Sequence, residues 1–332
     1  MSATGVARFN EPCIIGRMTL ARRDALRGTA AMAVAGSIGR RAHAAREAVR
    51  LICGFGVGNP TDLCAQLIQD GFSAALNEPV EFDYTLGQAG RRAALQVIDA
   101  EPDGRLLLIA EILNLVLQET PAEPLLSRLQ PIAKVTRGFS TALAVNELSD
   151  IRDWPGLLAA AGAARLKAAT MGADSTIGLL LALVERRLKL SFEPIEVAGT
   201  NAAVDLLLTR RADIAVVDTR TALLHNARNR TKLRVLATSG ARRSPQLPDV
   251  PTLAELVGDR KLAYTISFGV FAPAATPAVV ANRLTAALVG LRTDRSVQTQ
   301  ARLARIPLEF DGPSAIATAV ARDRRVAADL AG

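Results

Sequence analysis

Histidine, cysteine and aromatic side chains are scarce in this 332-residue chain, and each shortage removes a class of chemistry. Of the two histidines, His43 lies near the N-terminus and His225 sits among polar residues on a predicted helix. His225 reads as a surface or locally capping residue, so no Ser-His-Asp set can be assembled. Ser175 lacks the flanking glycines of a nucleophile elbow. The three cysteines form no cluster with histidine, which predicts no metal and no cofactor. Asp213 and Asp218 flank one predicted strand and read as solvated strand-end carboxylates, not as a catalytic pair. Aromatics make up 4% of the chain, too few for the stacking platforms of single-strand binders. The expectation is a protein that is not an enzyme and takes no nucleic acid.

Positive charge is in excess, at a net of +8, but it is unevenly placed. Residues 1–45 hold seven arginines against Glu11 and Asp24, which leaves 33 basic and 30 acidic residues in the remainder. That remainder shows no basic stripe. The N-terminal stretch reads as an export signal. Arg22-Arg23-Asp24-Ala25-Leu26-Arg27 precedes an apolar run from Gly28 to Ile38, and Ala42-His43-Ala44 offers a small-x-small cleavage site. At about 11 residues the run is too short to span a bilayer. The paired arginines resemble a twin-arginine signal, with general secretion the other route, and translation starts at Met1 or Met18. Cleavage near Ala44 and a periplasmic location are expected. Cys13 would leave with the signal. Cys53 and Cys64 suit small buried side chains, although an oxidising compartment would also permit a disulfide.

From Val49 onward, short apolar runs alternate with amphipathic ones. Strands are predicted at 49–53, 80–84 and 106–109, with helices over 61–77 and within 87–100. A second set places strands at 166–169, 193–197, 214–217 and 234–237, with helices over 175–187 and 202–209. A strand at 266–271 returns the chain to the first sheet. This spacing predicts an α/β protein of two lobes with mainly parallel sheets, joined by two crossing strands. The predicted division is 1–45 signal, 46–146 plus 266–332 first lobe, and 147–265 second lobe.

Two turns carry the chemistry. Gly54-Phe55-Gly56-Val57-Gly58-Asn59 follows a strand and opens a helix, with Glu81 or Asp83 at the next strand end. A dinucleotide-binding oxidoreductase uses such a pattern, but its third glycine is here Asn59, and Asp62 would oppose a phosphate. Thr61 and Asp62 read as helix-capping residues after Pro60. The other use of a small-residue turn is to leave helix-start N–H groups open to an anion such as a carboxylate. Thr170-Met171-Gly172-Ala173-Asp174-Ser175-Thr176 is a second such turn.

The order of these segments resembles the receptors of tripartite tricarboxylate transporters, the Bug family. The family's G-F-P-P-G-G-P-T-D turn matches Gly54 through Asp62, and its G-A-G-G turn matches Gly87-Gln88-Ala89-Gly90. Its S-S-G-x-G-S-S turn matches Thr170 through Thr176. Arg243-Ser244-Pro245-Gln246-Leu247-Pro248-Asp249-Val250-Pro251-Thr252 is similar to R-S-x-x-L-P-D-V-P-T, and Phe268 through Pro277 to F-G-L-F-A-P-A-G-T-P. The resemblance implies a type II periplasmic binding fold that closes on a small carboxylated solute. It further implies a monomer that serves membrane transporter subunits or, on the alternative reading, a sensor kinase.

Carried over by position, the ligand contacts would be Phe55, Gly56, Val57, Gly58, Asn59 and Thr61 in the first turn. Gly87, Gly90 and Arg91 would follow from the turn beside it. The second lobe would add Thr170, Gly172, Asp174, Ser175 and Thr176, with Asp218 facing the same cleft. The departures are instructive. Gly56 and Val57 replace both prolines, Asn59 replaces the second glycine, and Ala89 replaces a glycine of G-A-G-G. Asp174, Glu111 and Asp218 bring acids to the site, and these disfavour a dianion unless Arg91 and Arg92 compensate. A ligand carrying both a carboxylate and a cationic group, or an altered pocket, is the expectation.

Overall fold

A computed structural model of the chain describes residues 48–172 and 175–331. The expected signal over 1–45, with Cys13, and the expected contact Asp174 lie outside the described residues.

Eleven strands follow in order: β1 (Val49–Cys53), β2 (Val80–Tyr84), β3 (Leu106–Glu111), β4 (Leu129–Thr136), β5 (Thr141–Asn146), β6 (Lys167–Thr170), β7 (Glu193–Glu196), β8 (Ile214–Asp218), β9 (Leu233–Thr238), β10 (Phe268–Pro273) and β11 (Leu308–Asp311). They form two sheets, one ordered β11-β4-β10-β3-β1-β2 and the other β7-β6-β8-β5-β9. Each sheet is the floor of one lobe.

Alternation along the strands explains why both faces are covered. In the first sheet Val49, Leu51 and Cys53 join one core, whereas Ile52 and Leu108 join the other. In the second, Leu143, Val145 and Val216 face one side, and Ala142, Ala144, Ala169 and Ala215 the other. The alanine face lets the helix Thr200–Leu208 approach closely through Ala203, Val204 and Leu207. Cys53 and Cys64 are buried free thiols in the first-lobe core, and burial pushes both upward in pKa, Cys53 to about 12.

Two expectations need correction. The sheets are mixed, not mainly parallel: β1 pairs parallel with β2 and β3, and β6 with β7 and β8, but the other five pairings are antiparallel. The reason is connectivity. Strands β5 and β10 each enter a sheet from the other lobe, and so run against the βαβ strands beside them. The expected division after residue 146 also falls too late, because Thr141–Asn146 pairs with β8 and β9 in the second sheet. The first crossing therefore lies between β4 and β5, over 137–140.

At the crossing the two connecting segments are hydrogen-bonded to each other. Phe139 and Ile266 exchange both backbone bonds, N–H to carbonyl, at 2.9 and 2.8 Å. Gly138 makes this approach possible with a φ of +108°, and a Cβ there would sit 2.9 Å from Thr265 Oγ1. The Arg243–Thr252 motif closes upon itself beyond β9. Thr252 and Glu255 form a capping box for the helix Leu253–Val257, and Arg243 Nε donates to Glu255 at 2.9 Å. No helix among the described residues is long and apolar enough to cross a membrane.

Candidate ligand site between the two lobes

The first turn is built by its own side chains. Asn59, not Thr61 or Asp62, is the N-cap of the helix Pro60–Leu76, and its Oδ1 accepts from Thr61 N–H at 3.0 Å. Pro60 follows at the first helical position, where a missing N–H costs nothing. Asp62 is buried and accepts from Gly58 N–H at 2.7 Å, Tyr84 Oη at 2.5 Å and Gln66 Nε2 at 2.9 Å. The Gly58 N–H that a pyrophosphate would need is therefore already taken, which speaks against the dinucleotide reading.

A neighbouring turn packs against this one. A Cβ on Gly54 would stand 2.6 Å from Gly90 Cα, so the approach requires glycine there, while Gly90 holds left-handed backbone at φ +88°. Gln88 and Ala89 both hold left-handed backbone, with φ of 49° and 48°, although neither is glycine. Asn114 Nδ2 and Gln118 Nε2 hold that conformation by donating to Ala89 carbonyl, the second at 2.8 Å.

On the facing lobe, Ser175 caps the helix Thr176–Leu188, accepting from Gly178 N–H at 3.0 Å while its own hydroxyl donates to Gly172 carbonyl at 2.7 Å. Tyr264 supports that helix start from behind, donating to Thr176 carbonyl at 3.1 Å. Asp218 is buried, not solvated as the sequence suggested. It caps the helix Thr219–Arg228, taking Thr221 N–H at 2.8 Å and Thr221 hydroxyl at 2.6 Å.

These turns converge on a narrow cavity of about 30 Å³, room for a water or two. Of the residues expected at the ligand, Phe55, Asn59, Ser175, Thr176 and Asp218 line it. Pro60, Glu111, Asn114, Met171, Ile177, Thr200, Ile266 and Phe268 complete it. Gly58 lines a neighbouring opening instead, together with Arg220 and Arg228. Gly56, Val57, Thr61, Gly87, Gly90, Arg91, Thr170 and Gly172 are not among the lining residues. Val57 points outward, 79% exposed, and Thr61 is buried in its helix. Arg91 turns away from the cavity. Its guanidinium pairs with Glu123 and donates to Gln118 carbonyl at 2.9 Å, so it does not neutralise the acids.

Glu111 ends the third strand of the first lobe and accepts a hydrogen bond from Thr176 Oγ1 across the cleft. Burial pushes its carboxyl up to about 8, Thr176 pulls the other way, and Asp323 and Asp218 raise it further. Asn114 is buried beside it, with Oδ1 lacking a hydrogen-bond partner among the described residues. The lining therefore combines two helix N-termini with two carboxyls, an unpaired acceptor and no cation.

His225 lines the neighbouring opening and bonds locally, Nε2 to Thr231 carbonyl at 3.0 Å. No cluster of three or more His, Cys, Asp or Glu side chains among the described residues is placed to hold a metal.

Known structures share this fold. MatC from Rhodopseudomonas palustris, solved with bound malate, superposes with a TM-score of 0.73 at 23% identity, covering 84% of this chain and 98% of that one. The periplasmic binding protein BugD gives 0.75 at 22% identity over 85% and 96% of the two chains. A second R. palustris protein, solved with adipate, gives 0.73 at 22% identity over 85% and 97%. At such identities the likeness establishes the two-lobed fold. In sequence, a UPF0065 protein from the tcbD-tcbE intergenic region of Pseudomonas sp. strain P51 is 30% identical over 237 residues, 70% of each chain. The model of the tripartite tricarboxylate transporter family receptor matches residues 64–302, from the helix behind the first turn to the last helices of the first lobe. The chain thus belongs to the tripartite tricarboxylate transporter receptor family.

Proposed function

We propose that this receptor is periplasmic and captures a small solute bearing both a carboxylate and a cationic or strongly hydrogen-bond-donating group, for delivery to membrane transporter subunits. The observation that carries the ligand class is the polarity of the cleft lining: Glu111 and the unpaired Asn114 Oδ1 from the first lobe and Asp218 from the second, with no cation among the lining residues. The carboxylate end of the solute would face the starts of the helices Pro60–Leu76 and Thr176–Leu188, whose partial positive charge attracts it. The donor end would satisfy Asn114 and the two acids. Support for a carboxylate comes from the structural neighbours solved with malate and adipate.

A cavity of about 30 Å³ cannot hold a metabolite, so uptake needs the lobes to part and close again. The crossings at 137–140 and around Ile266 are where that rotation would be absorbed, which makes the motion a hinge.

A thermal-shift screen tests the ligand class. A solute that binds only the folded protein raises its melting temperature with concentration over affinity. Amino acids and other amine-bearing carboxylates are expected to raise it, and plain dicarboxylates much less. A screen in which only plain dicarboxylates stabilise the protein sinks the ligand assignment while leaving the receptor reading intact.

A further inference from the structure

Beside the hinge lies a groove of about 690 Å³ that shares no lining residue with the cleft cavity. Its walls carry six arginines, Arg137, Arg220, Arg242, Arg243, Arg302 and Arg305, and no acidic residue lines it. Arg137 and Arg243 have carboxylate partners in Glu309, at 3.6 Å, and Glu255, at 2.9 Å. Arg242, Arg302 and Arg305 are exposed and have no acidic partner among the described residues. Like charges gathered around one concavity repel, and that cost is offset only when an anion enters. The volume falls within the range of small-molecule sites, roughly 300–1,000 Å³. The guanidinium fork suits phosphoryl and carboxylate oxygens, which it binds in pairs.

The groove is lined by the first crossing, through Arg137, Gly138 and Phe139, and by the second, through Thr265. Arg220 reaches across from the second lobe to donate to Ala304 carbonyl in the first, at 2.6 Å. Adjacent residues face the two cavities: Asp218 and Ile266 line the cleft, Thr219 and Thr265 the groove. The arginine end of the Arg243–Thr252 motif, which the cleft does not use, opens here.

We propose that this hinge groove is a second site, binding a compact, multiply charged anion of phosphoryl or polycarboxylate chemistry. The test titrates inorganic tripolyphosphate and citrate separately into the protein by calorimetry. Saturable binding of one anion per chain is expected, weakening as salt is raised. The double variant Arg242→Gln/Arg305→Gln should lose at least tenfold in affinity, while Arg228→Gln, in the neighbouring opening, should lose none. Both double-variant positions are exposed, and an unchanged melting temperature without anion confirms that the fold is kept. Tripolyphosphate binding alone assigns a phosphoryl ligand, and citrate alone, if lost in the double variant, assigns a polycarboxylate. The proposal is overturned if neither anion saturates, if binding survives the double variant, or if only an acidic polyglutamate peptide binds.

Discussion

Replacing Glu111 by glutamine is expected to remove a large pH dependence from the stability of this protein. The folded protein holds a proton on Glu111 up to about pH 8, whereas an unfolded chain releases it near the ordinary glutamate value of 4.5. Between those values the native state binds more protons than the unfolded one, so stability falls as pH rises and levels off above 8. The loss across that window is on the order of 4 kcal/mol for a shift of this size. Glutamine keeps an oxygen to accept from Thr176 but cannot ionise, so its denaturation midpoint should exceed that of the natural protein increasingly from pH 5 to pH 8.5. Asp218, Asp323, Arg322 and Thr176 surround Glu111 or its acidic neighbours, and all are retained in the variant. Parallel pH profiles for the two proteins would show that Glu111 is hydrated or otherwise ionised in the native state.

The second large effect is expected at Gly54. Adding one methyl group places a carbon 2.6 Å from Gly90 Cα and 3.3 Å from Gly90 carbonyl oxygen, both backbone atoms that cannot rotate aside. Gly90 itself holds left-handed backbone at φ +88°, a conformation that the turn depends on. Gly54→Ala should therefore cost about 2–3 kcal/mol and misplace Phe55, which lines the cleft. Two residues along, Gly56→Ala meets nothing nearer than Leu86 Cδ2 at 4.0 Å and should change stability by less than about 0.5 kcal/mol. Equal denaturation midpoints for the two variants would contradict this account of the turn.

Much of the fold was legible because the βαβ strands are short apolar runs with glycine or capping residues at their ends. Strands β1 and β2 match the pattern residue for residue. The missed strands have physical reasons. β4 carries Pro131, which sits where the register with β10 shifts, so the strand tolerates a residue that normally argues against one. β11 is interrupted by Phe310 in left-handed backbone. In the cleft, the run Leu106 to Leu117 is apolar almost throughout, and periodicity cannot show that it turns from strand to helix at Glu111–Ile112. That hidden turn is what delivers Glu111 and Asn114 to the cavity. Asn59 was visible only as a lost glycine, and its gain as a cap needed the backbone. Arg91 lay close enough in sequence to balance the acids, but its rotamer, set by Glu123 and Gln118, decided otherwise.

The central claim is that one solute binds between the lobes at the start of the helix Thr176–Leu188. Calorimetric titration of the most stabilising carboxylate from the screen into the natural protein and a Thr176→Val variant tests it most directly. The account predicts one solute per chain and at least a tenfold loss of affinity in the variant, whose side chain keeps its shape but loses the hydroxyl. Unchanged affinity in the variant would contradict it and place the solute somewhere other than this cleft.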